Sequence, residues 1–390
     1  MIDSSDNISD LTNWLLDTTF DNYEVATLVS ECSERLITAG IPLSRVFFSY
    51  TILHPLYSSK SVAWQPGAKL DHESYAHGAE ESDDWLQSPF YHMVENDLNS
   101  LRRRLSGSKS ETDFPILKQF QSNGLTDYLA FAIKLGEING KTQGILGSWS
   151  TDDPDGFTDE HIEILTGVQR YLGVACNAAI KVQISKNVAL AYLGSTAGLE
   201  VLEGRIRRGD YEIIRAVIWM SDMRDSTQLA EKHTYENYLD LLNQYFESTA
   251  GPLMANGGQV LSFIGDAVLG IFPVGDNHYT KEDASTRAIE AAITAQSLRS
   301  EMTNTPRYGI ALHYGDVMFG NIGVPERLSF SVVGSAVNEV SRLETLTKEL
   351  NEPVLVSQQF AKHSNINWMD KGIHTLRGVS QPIQAFAPGR

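Results

Sequence analysis

Two aspartates stand where a pair of carboxylates could do chemistry. Asp222 follows an apolar run at 216–221 (AVIWMS), and Asp266 sits in the Gly265-Asp266 pair between the apolar runs 259–264 and 267–272. A short apolar run bounded by polar residues reads as a buried strand, and a Gly-Asp pair between two such runs reads as a hairpin tip. In a βαββ sheet the first strand lies beside that hairpin, so both carboxylates meet at one sheet end. Adjacent carboxylates repel unless a cation joins them. A few hard oxygen donors suit Mg2+ or Mn2+ completed by substrate phosphates. Two such ions could activate a hydroxyl and neutralise a triphosphate. Taken singly, each residue has a plainer reading: Asp266 as a turn residue, Asp222 as a cap at a helix start.

Met223-Arg224-Asp225-Ser226-Thr227 leads from Asp222 into a helical pattern. Free amides at a helix start can hold phosphate. Alternatively, Ser226 or Thr227 simply caps the helix, and both readings are compatible. Further along, Asn338 and Arg342 are four apart in a helical stretch and share a face. An asparagine there could orient a sugar or ring, and an arginine could stabilise charge on a transferring phosphoryl group. A solvated polar face would have the same spacing. Glu344 falls on a different side.

The composition sets the frame for these residues. Acidic side chains number 49 and basic ones 31 in 390 residues, a formal net charge of -18. That excess argues against non-specific binding of nucleic acid or an anionic membrane surface. It also means that a polyanionic substrate needs metal ions and a few placed arginines. No apolar run approaches the roughly 20 residues of a membrane span, and no signal-peptide pattern opens the chain, so a cytoplasmic protein is expected. Cys32 and Cys176 are too few for a disulfide framework or a zinc site and read as buried thiols. The histidines of the first half lack metal spacing. His313 and Trp219 read as packed core residues. Gly320-Asn321-Ile322-Gly323 reads as a turn without the lysine of a phosphate loop.

The elements that must position these groups follow from periodicity. In the second half the pattern predicts a strand at 216–221, a helix over about 227–250, and strands at 259–264 and 267–272. A helix at 283–299, strands at 308–314, 317–322 and 330–333, and a helix at 335–350 come next. Short strands at 354–357, 373–376 and 383–386 close the chain. The order strand, helix, strand, strand, helix, strand is a ferredoxin-like βαββαβ arrangement with additions, an α+β class. In the first half, the pattern predicts helices at 22–39 and about 114–121, a strand at 46–53, and paired strands at 128–134 and 142–149. The stretch 67–84 reads as a loop. Thr158 reads as the N-cap of a long helix, with helical periodicity continuing to Gly194.

These segments resemble the class III nucleotidyl cyclases, the adenylate and guanylate cyclases, and most of all bacterial cytoplasmic ones. VIWMSDMRDST and GGQVLSFIGDAVLGIF resemble the two metal motifs. YGIALHYGDVMFGNIG with FSVVGSAVNEVSRLE resembles the dimer-arm and transition-state motifs, and LRGVSQPIQAF the phosphate-binding end. The likeness spans about 215–387. It implies that Asp222 and Asp266 hold two Mg2+ or Mn2+ ions, that Asn338 orients the ribose, and that Arg342 stabilises the pentavalent phosphate. Arg377 falls where the family binds the terminal phosphates. The resemblance also implies a homodimer, with the metal carboxylates from one chain and the Asn, Arg and base-reading residues from the other. The implied reaction turns a nucleoside triphosphate, ATP first, into a 3′,5′-cyclic monophosphate and pyrophosphate. The segment DGFTDEHIEILTGVQRYLG resembles the end of a GAF domain. The expected organisation is therefore a GAF-like sensor over 1–180 with a small-molecule ligand, a helical connector over 181–212, and a catalytic domain over 213–390.

Three positions depart from the family pattern. Ser262 stands where many adenylate cyclases carry an adenine-reading lysine, and Ser331 at the partner base-reading position. A serine hydroxyl both donates and accepts, so GTP or a pyrimidine nucleotide remains an alternative substrate. Asp225 stands where the family commonly has glycine, with a solvent-facing cap as the expected role. A nucleotide-binding regulatory module without turnover is the alternative from another class.

Overall fold

The computed structural model describes residues 4–107, 110–138, 140–275, 278–301 and 305–389. The chain divides into two compact units, Met1–Ala191 and Tyr192–Arg390.

The first unit opens with helices α1 (Ser4–Asp17) and α2 (Val25–Thr38). Strands β1 (Arg45–Thr51), β2 (Tyr57–Trp64) and β3 (Asp71–Ala76) follow. Helices α3 (Asp83–Leu86) and α4 (Pro89–Glu95) lead to β4 (Ser100–Arg104), α5 (Pro115–Ser122), β5 (Asp127–Ile138), β6 (Lys141–Thr151) and the long helix α6 (Asp159–Leu193). The strands form one antiparallel sheet in the order β3-β2-β1-β6-β5-β4. Strand alternation divides its two faces. Val46, Phe48 and Tyr50 pack with Leu28, Val29, Cys32 and Leu36 of α2 and Leu165, Val168 and Leu172 of α6. Tyr128 and Ala130 point the other way, to Met93 of α4 and Leu117 and Phe120 of α5. Both cysteines are free and buried, and burial pushes the Cys32 thiol up to about 12.

Thr158 caps α6 as expected, with its Oγ1 accepting from the His161 N–H at 3.1 Å. The loop expected over 67–84 is corrected, because Asp71–Ala76 is a strand. Its polar residues are almost all exposed, and it pairs with β2 at the sheet edge through its backbone. No apolar alternation marks a strand that buries neither face.

The second unit begins with α7 (Ser195–Leu202), after Gly194 at φ +80°. Then come β7 (Tyr211–Met223), α8 (Ser226–Lys232), α9 (Tyr235–Ala255), β8 (Gln259–Ile264), β9 (Ala267–Val274) and α10 (Lys281–Glu301). The remainder is β10 (Tyr308–Val324), β11 (Arg327–Val333), α11 (Ser335–Glu349), β12 (Val354–Ser357), α12 (Gln358–Ala361), β13 (Trp368–His374) and β14 (Ile383–Pro388). The sheet order is β13-β14-β12-β10-β7-β9-β8, with β11 paired to β10. Its central part, β10-β7-β9-β8, is the antiparallel ferredoxin-like order that the βαββαβ pattern predicts.

The 216–221 stretch of β7 is buried on both faces, which is why it reads as an unbroken apolar run. Val217, Trp219 and Met223 join the core containing α9 and α10. Ala216, Ile218 and Met220 join the core with Val340, Leu343 and Leu346 of α11. Two expectations are corrected. The helix over 227–250 is two helices, because Thr234 starts α9 with its Oγ1 accepting from the Asn237 N–H at 3.3 Å. The strands 308–314 and 317–322 are one strand, whose ladder to β7 runs unbroken through Gly315 and Asp316.

Candidate active site

Asp222 is the penultimate residue of β7, flanked by Ala267 of β9 on one side and Gly309 of β10 on the other. Asp266 immediately precedes Ala267 in the two-residue turn between β8 and β9. The Asp266 carbonyl accepts from the Met223 N–H at 3.4 Å. The register of three strands thus brings both aspartates to one end of the sheet. Burial, and next the Asp266 charge, push the half-buried Asp222 carboxyl up to about 6, while Arg224 and Lys348 pull it down.

The alternation of β7 puts Asp222 on the face that α11 covers. There Arg224 Nη1 lies 3.2 Å from Glu344 Oε1. Arg224 also donates to Thr347 Oγ1, and Thr347 Oγ1 donates to the Glu344 carbonyl at 2.6 Å. Burial pushes the Glu344 carboxyl up to about 7, with the Asp222 charge adding to it and Arg224 opposing. Gly309 provides the space. A Cβ there would collide with Arg224 Nη2 and Thr347 Oγ1 and meet Glu344 Oε1 at 2.7 Å. Sequence reasoning missed this cluster. The only signal was a glycine within an otherwise apolar strand, which marks close approach of another group.

Asp225 has φ +59° and holds the N-cap position of α8 without a side-chain cap bond. The expectation that Ser226 or Thr227 caps this helix is therefore corrected: both follow the cap, Ser226 half-buried and Thr227 exposed. The Asp225 carboxylate faces Arg307 at 3.1 Å, and the Arg307 carbonyl accepts from the Arg224 N–H at 2.7 Å. The left-handed conformation accounts for glycine being the common residue at such a position.

Among the described residues Asn338, Arg342 and Arg377 form no hydrogen bond or ion pair with Asp222 or Asp266. Asn338 and Arg342 are exposed on α11, while Val340, Leu343, Glu344 and Thr347 are buried. Arg342 is two positions from Glu344, hence roughly 200° around the helix from it. Arg377 is exposed between β13 and β14. Among the described residues neither arginine has an ion pair or a side-chain hydrogen bond. Ser331 of β11 faces Gly320 of β10 in the ladder. Ser262 stands at a register irregularity of β8, its Oγ 3.4 Å from the Phe263 carbonyl.

Among the described residues no cluster of three or more His, Cys, Asp or Glu side chains could hold a metal. The donor set at Asp222 and Asp266 is two carboxylates. Such a pair fits Mg2+ or Mn2+, ions that take oxygen ligands and keep places for water and substrate phosphates. A cation would also relieve the repulsion that raises Asp222.

Comparison with known proteins decides the family of this unit. Residues 211–386 match the family model described as the adenylate and guanylate cyclase catalytic domain. This segment is a class III nucleotidyl cyclase catalytic domain. The chain is similar to an uncharacterized protein of Mycobacterium tuberculosis, 33% identical over 188 residues, which are 47% of this chain and 32% of that protein. It is 30% identical over 179 residues to the terminal-differentiation specific adenylate cyclase of Dictyostelium discoideum, covering 45% of this chain and 8% of that one. An adenylate cyclase of Anabaena cylindrica is 28% identical over 182 residues, 44% of this chain and 36% of that one. The chain thus spans about a third of the length of several of these relatives. Among solved structures, the adenylyl cyclase CyaB from P. aeruginosa is 24% identical, covering 46% of this chain and 96% of that one, with a TM-score of 0.42.

Proposed function

We propose that this protein is a nucleotidyl cyclase working as a homodimer in the cytoplasm. ATP is its leading substrate, and a GAF-like first unit regulates it. The observation that carries the reading is the meeting of Asp222 and Asp266 at one end of the cyclase sheet. Two Mg2+ or Mn2+ ions held by these carboxylates would favour ionisation of the ribose 3′-hydroxyl and neutralise the triphosphate.

The chain's own residues supply placement and charge. The 3′-oxygen attacks the α-phosphorus, the bond to the β-phosphoryl oxygen breaks, and pyrophosphate leaves. The hydroxyl proton passes to water or a phosphate oxygen. Asn338 orients the ribose, and Arg342 stabilises the negative charge gathering on the equatorial oxygens. Arg377 binds the terminal phosphates, with the start of α8 at Ser226 and Thr227 beside them. Ser262 and Ser331 face the base.

The dimer reading is supported by what one chain leaves bare. Asn338 and Arg342 point to solvent, away from the face of α11 that meets Arg224. Phe263 and Ile264, beside the Asp266 turn, are 53% and 54% exposed, and Met318, Ile322 and Val324 at the end of β10 are also exposed. A second copy would bury these side chains and bring its Asn338 and Arg342 to Asp222 and Asp266. Among the described residues no helix is long and apolar enough to cross a membrane.

A second reading concerns the base. A serine at 262 imposes no purine by itself, so GTP or a pyrimidine nucleotide stays open. The test is to give the purified chain ATP, GTP, CTP and UTP separately with Mn2+ and then Mg2+, and identify products by mass spectrometry. Cyclic AMP is expected. Another cyclic nucleotide would overturn the substrate assignment, and no product from any of the four would contradict the catalytic reading.

A further inference from the structure

The first unit contains a cavity of about 420 Å³ between the start of β1, the end of β2 and α5. Arg45, Gln65, Gln119, Phe120, Asn123 and Asp152 are among its lining. The volume is that of a small-ligand pocket, a few convergent polar groups on a partly apolar wall.

Arg45 is the unusual member. Its guanidinium lies 4.8 Å from the Phe120 ring centre and 5.5 Å from that of Phe47. Among the described residues it has no ion pair and no side-chain hydrogen bond. Two arginines of the same sheet behave differently: Arg102 sits 2.7 Å from Asp127 and Arg103 2.9 Å from Asp113. Burial lowers the Arg45 pKa, while Tyr128, Asp71 and Tyr75 act on it the other way. A guanidinium taken from water without a carboxylate bonded to it is costly, and its planar fork matches a carboxylate with two parallel bonds.

The remaining lining narrows the choice. The Gln65, Gln119 and Asn123 side chains make no hydrogen bond among the described residues and offer amide donors and acceptors. Phe120 offers an apolar wall. The Asp152 carboxylate is engaged by the Ser44 hydroxyl at 2.5 Å, yet its charge stays at the cavity. One cation beside the Asp152 carboxylate, with Asp71 also acting on Arg45, disfavours a doubly charged ligand and admits at most a singly charged one.

We propose that this cavity binds a small organic monocarboxylate, its carboxylate on Arg45 and its apolar body against Phe120. The proposal deepens the sensor reading of the first unit and is independent of the cyclase chemistry.

The test is calorimetric titration of the full chain with benzoate and, separately, inorganic phosphate. Saturable benzoate binding is expected, with phosphate at least tenfold weaker. Arg45→Gln should weaken benzoate at least tenfold, and Arg45→Lys less. Asp152→Asn should tighten both anions, a result that does not depend on how well the Arg45 variants fold. No saturable benzoate binding, or binding indifferent to both positions, overturns the site. Nucleotide turnover measured with and without saturating benzoate then separates the readings. A change supports regulation through the site, and binding without a change contradicts the regulatory reading while leaving the site standing.

Discussion

Arg224 and Glu344 form an ion pair of 3.2 Å with side chains only 13% and 5% exposed. The pair joins the strand end that carries Asp222 to the helix that carries Asn338 and Arg342. In the proposed dimer, Asp222 serves one site while Asn338 and Arg342 of the same chain serve the other. One buried contact therefore spans elements of both sites.

Removing one partner of this pair should be expensive. Glu344→Ala leaves a guanidinium without its carboxylate in a closed space, a loss of about 3–5 kcal/mol by analogy with buried pairs. Glu344→Gln keeps the shape and a hydrogen-bond acceptor and should cost less. Urea denaturation of the two variants checks the order. Equal, negligible losses would mean that water reaches the pair.

The contribution of Asp222 and Glu344 to the stability of the metal-free protein should fall as pH rises from about 4 to 7, while His313, which burial lowers to about 4, acts the other way. Asp222 is raised from 3.8 to about 6 and Glu344 from 4.5 to about 7. Below the unfolded values both states hold the proton. Between the unfolded and folded values, the folded form keeps a proton that the unfolded form has released. Rising pH then stabilises the unfolded state until the folded group ionises too, after which the effect is constant. Thermal unfolding across this range should show the decline in the wild type relative to Asp222→Asn, in which the His313 contribution is the same. Mn2+ at pH 7.5 should reverse it in the wild type and much less in Asp222→Asn, whose own midpoint without metal should lie higher. A midpoint indifferent to Mn2+ would contradict the metal assignment.

Gly309→Ala tests the packing around the pair. The new methyl would collide with the polar ends of Arg224, Thr347 and Glu344. Forcing these groups aside should cost about 1–3 kcal/mol. Turnover should fall with it, since the displaced arginine flanks the Asp222 strand end. A variant as stable and active as the wild type would show that the cluster adjusts freely.

The apolar runs of β7 and β9 and the Gly265-Asp266 turn were legible in the sequence because burial on both faces leaves few alternatives. From them the meeting of Asp222 and Asp266 followed. The α8–α9 break was not legible, since the apolar period continues across His233-Thr234 and only the Thr234 hydroxyl shows where α9 starts. Strand β3 has no apolar face to read. The Arg224–Glu344 pair is 120 residues apart in sequence, and neither residue has a local pattern that announces burial. Its visibility required the register that sets Asp222 beside Gly309.

Complementation between two inactive variants tests the shared cyclase site most directly. Asp222→Asn and Arg342→Ala should each abolish metal-dependent cyclisation while leaving the fold intact. Mixed and re-equilibrated, they should recover activity, because each heterodimer holds one site with wild-type Asp222 and Arg342. Asp222→Asn mixed with Asp266→Asn should stay inactive, since one chain supplies both carboxylates. Recovery in the first mixture alone is the predicted result. Demonstrated heterodimers without recovery in the first mixture, or full activity in either single variant, would contradict the account.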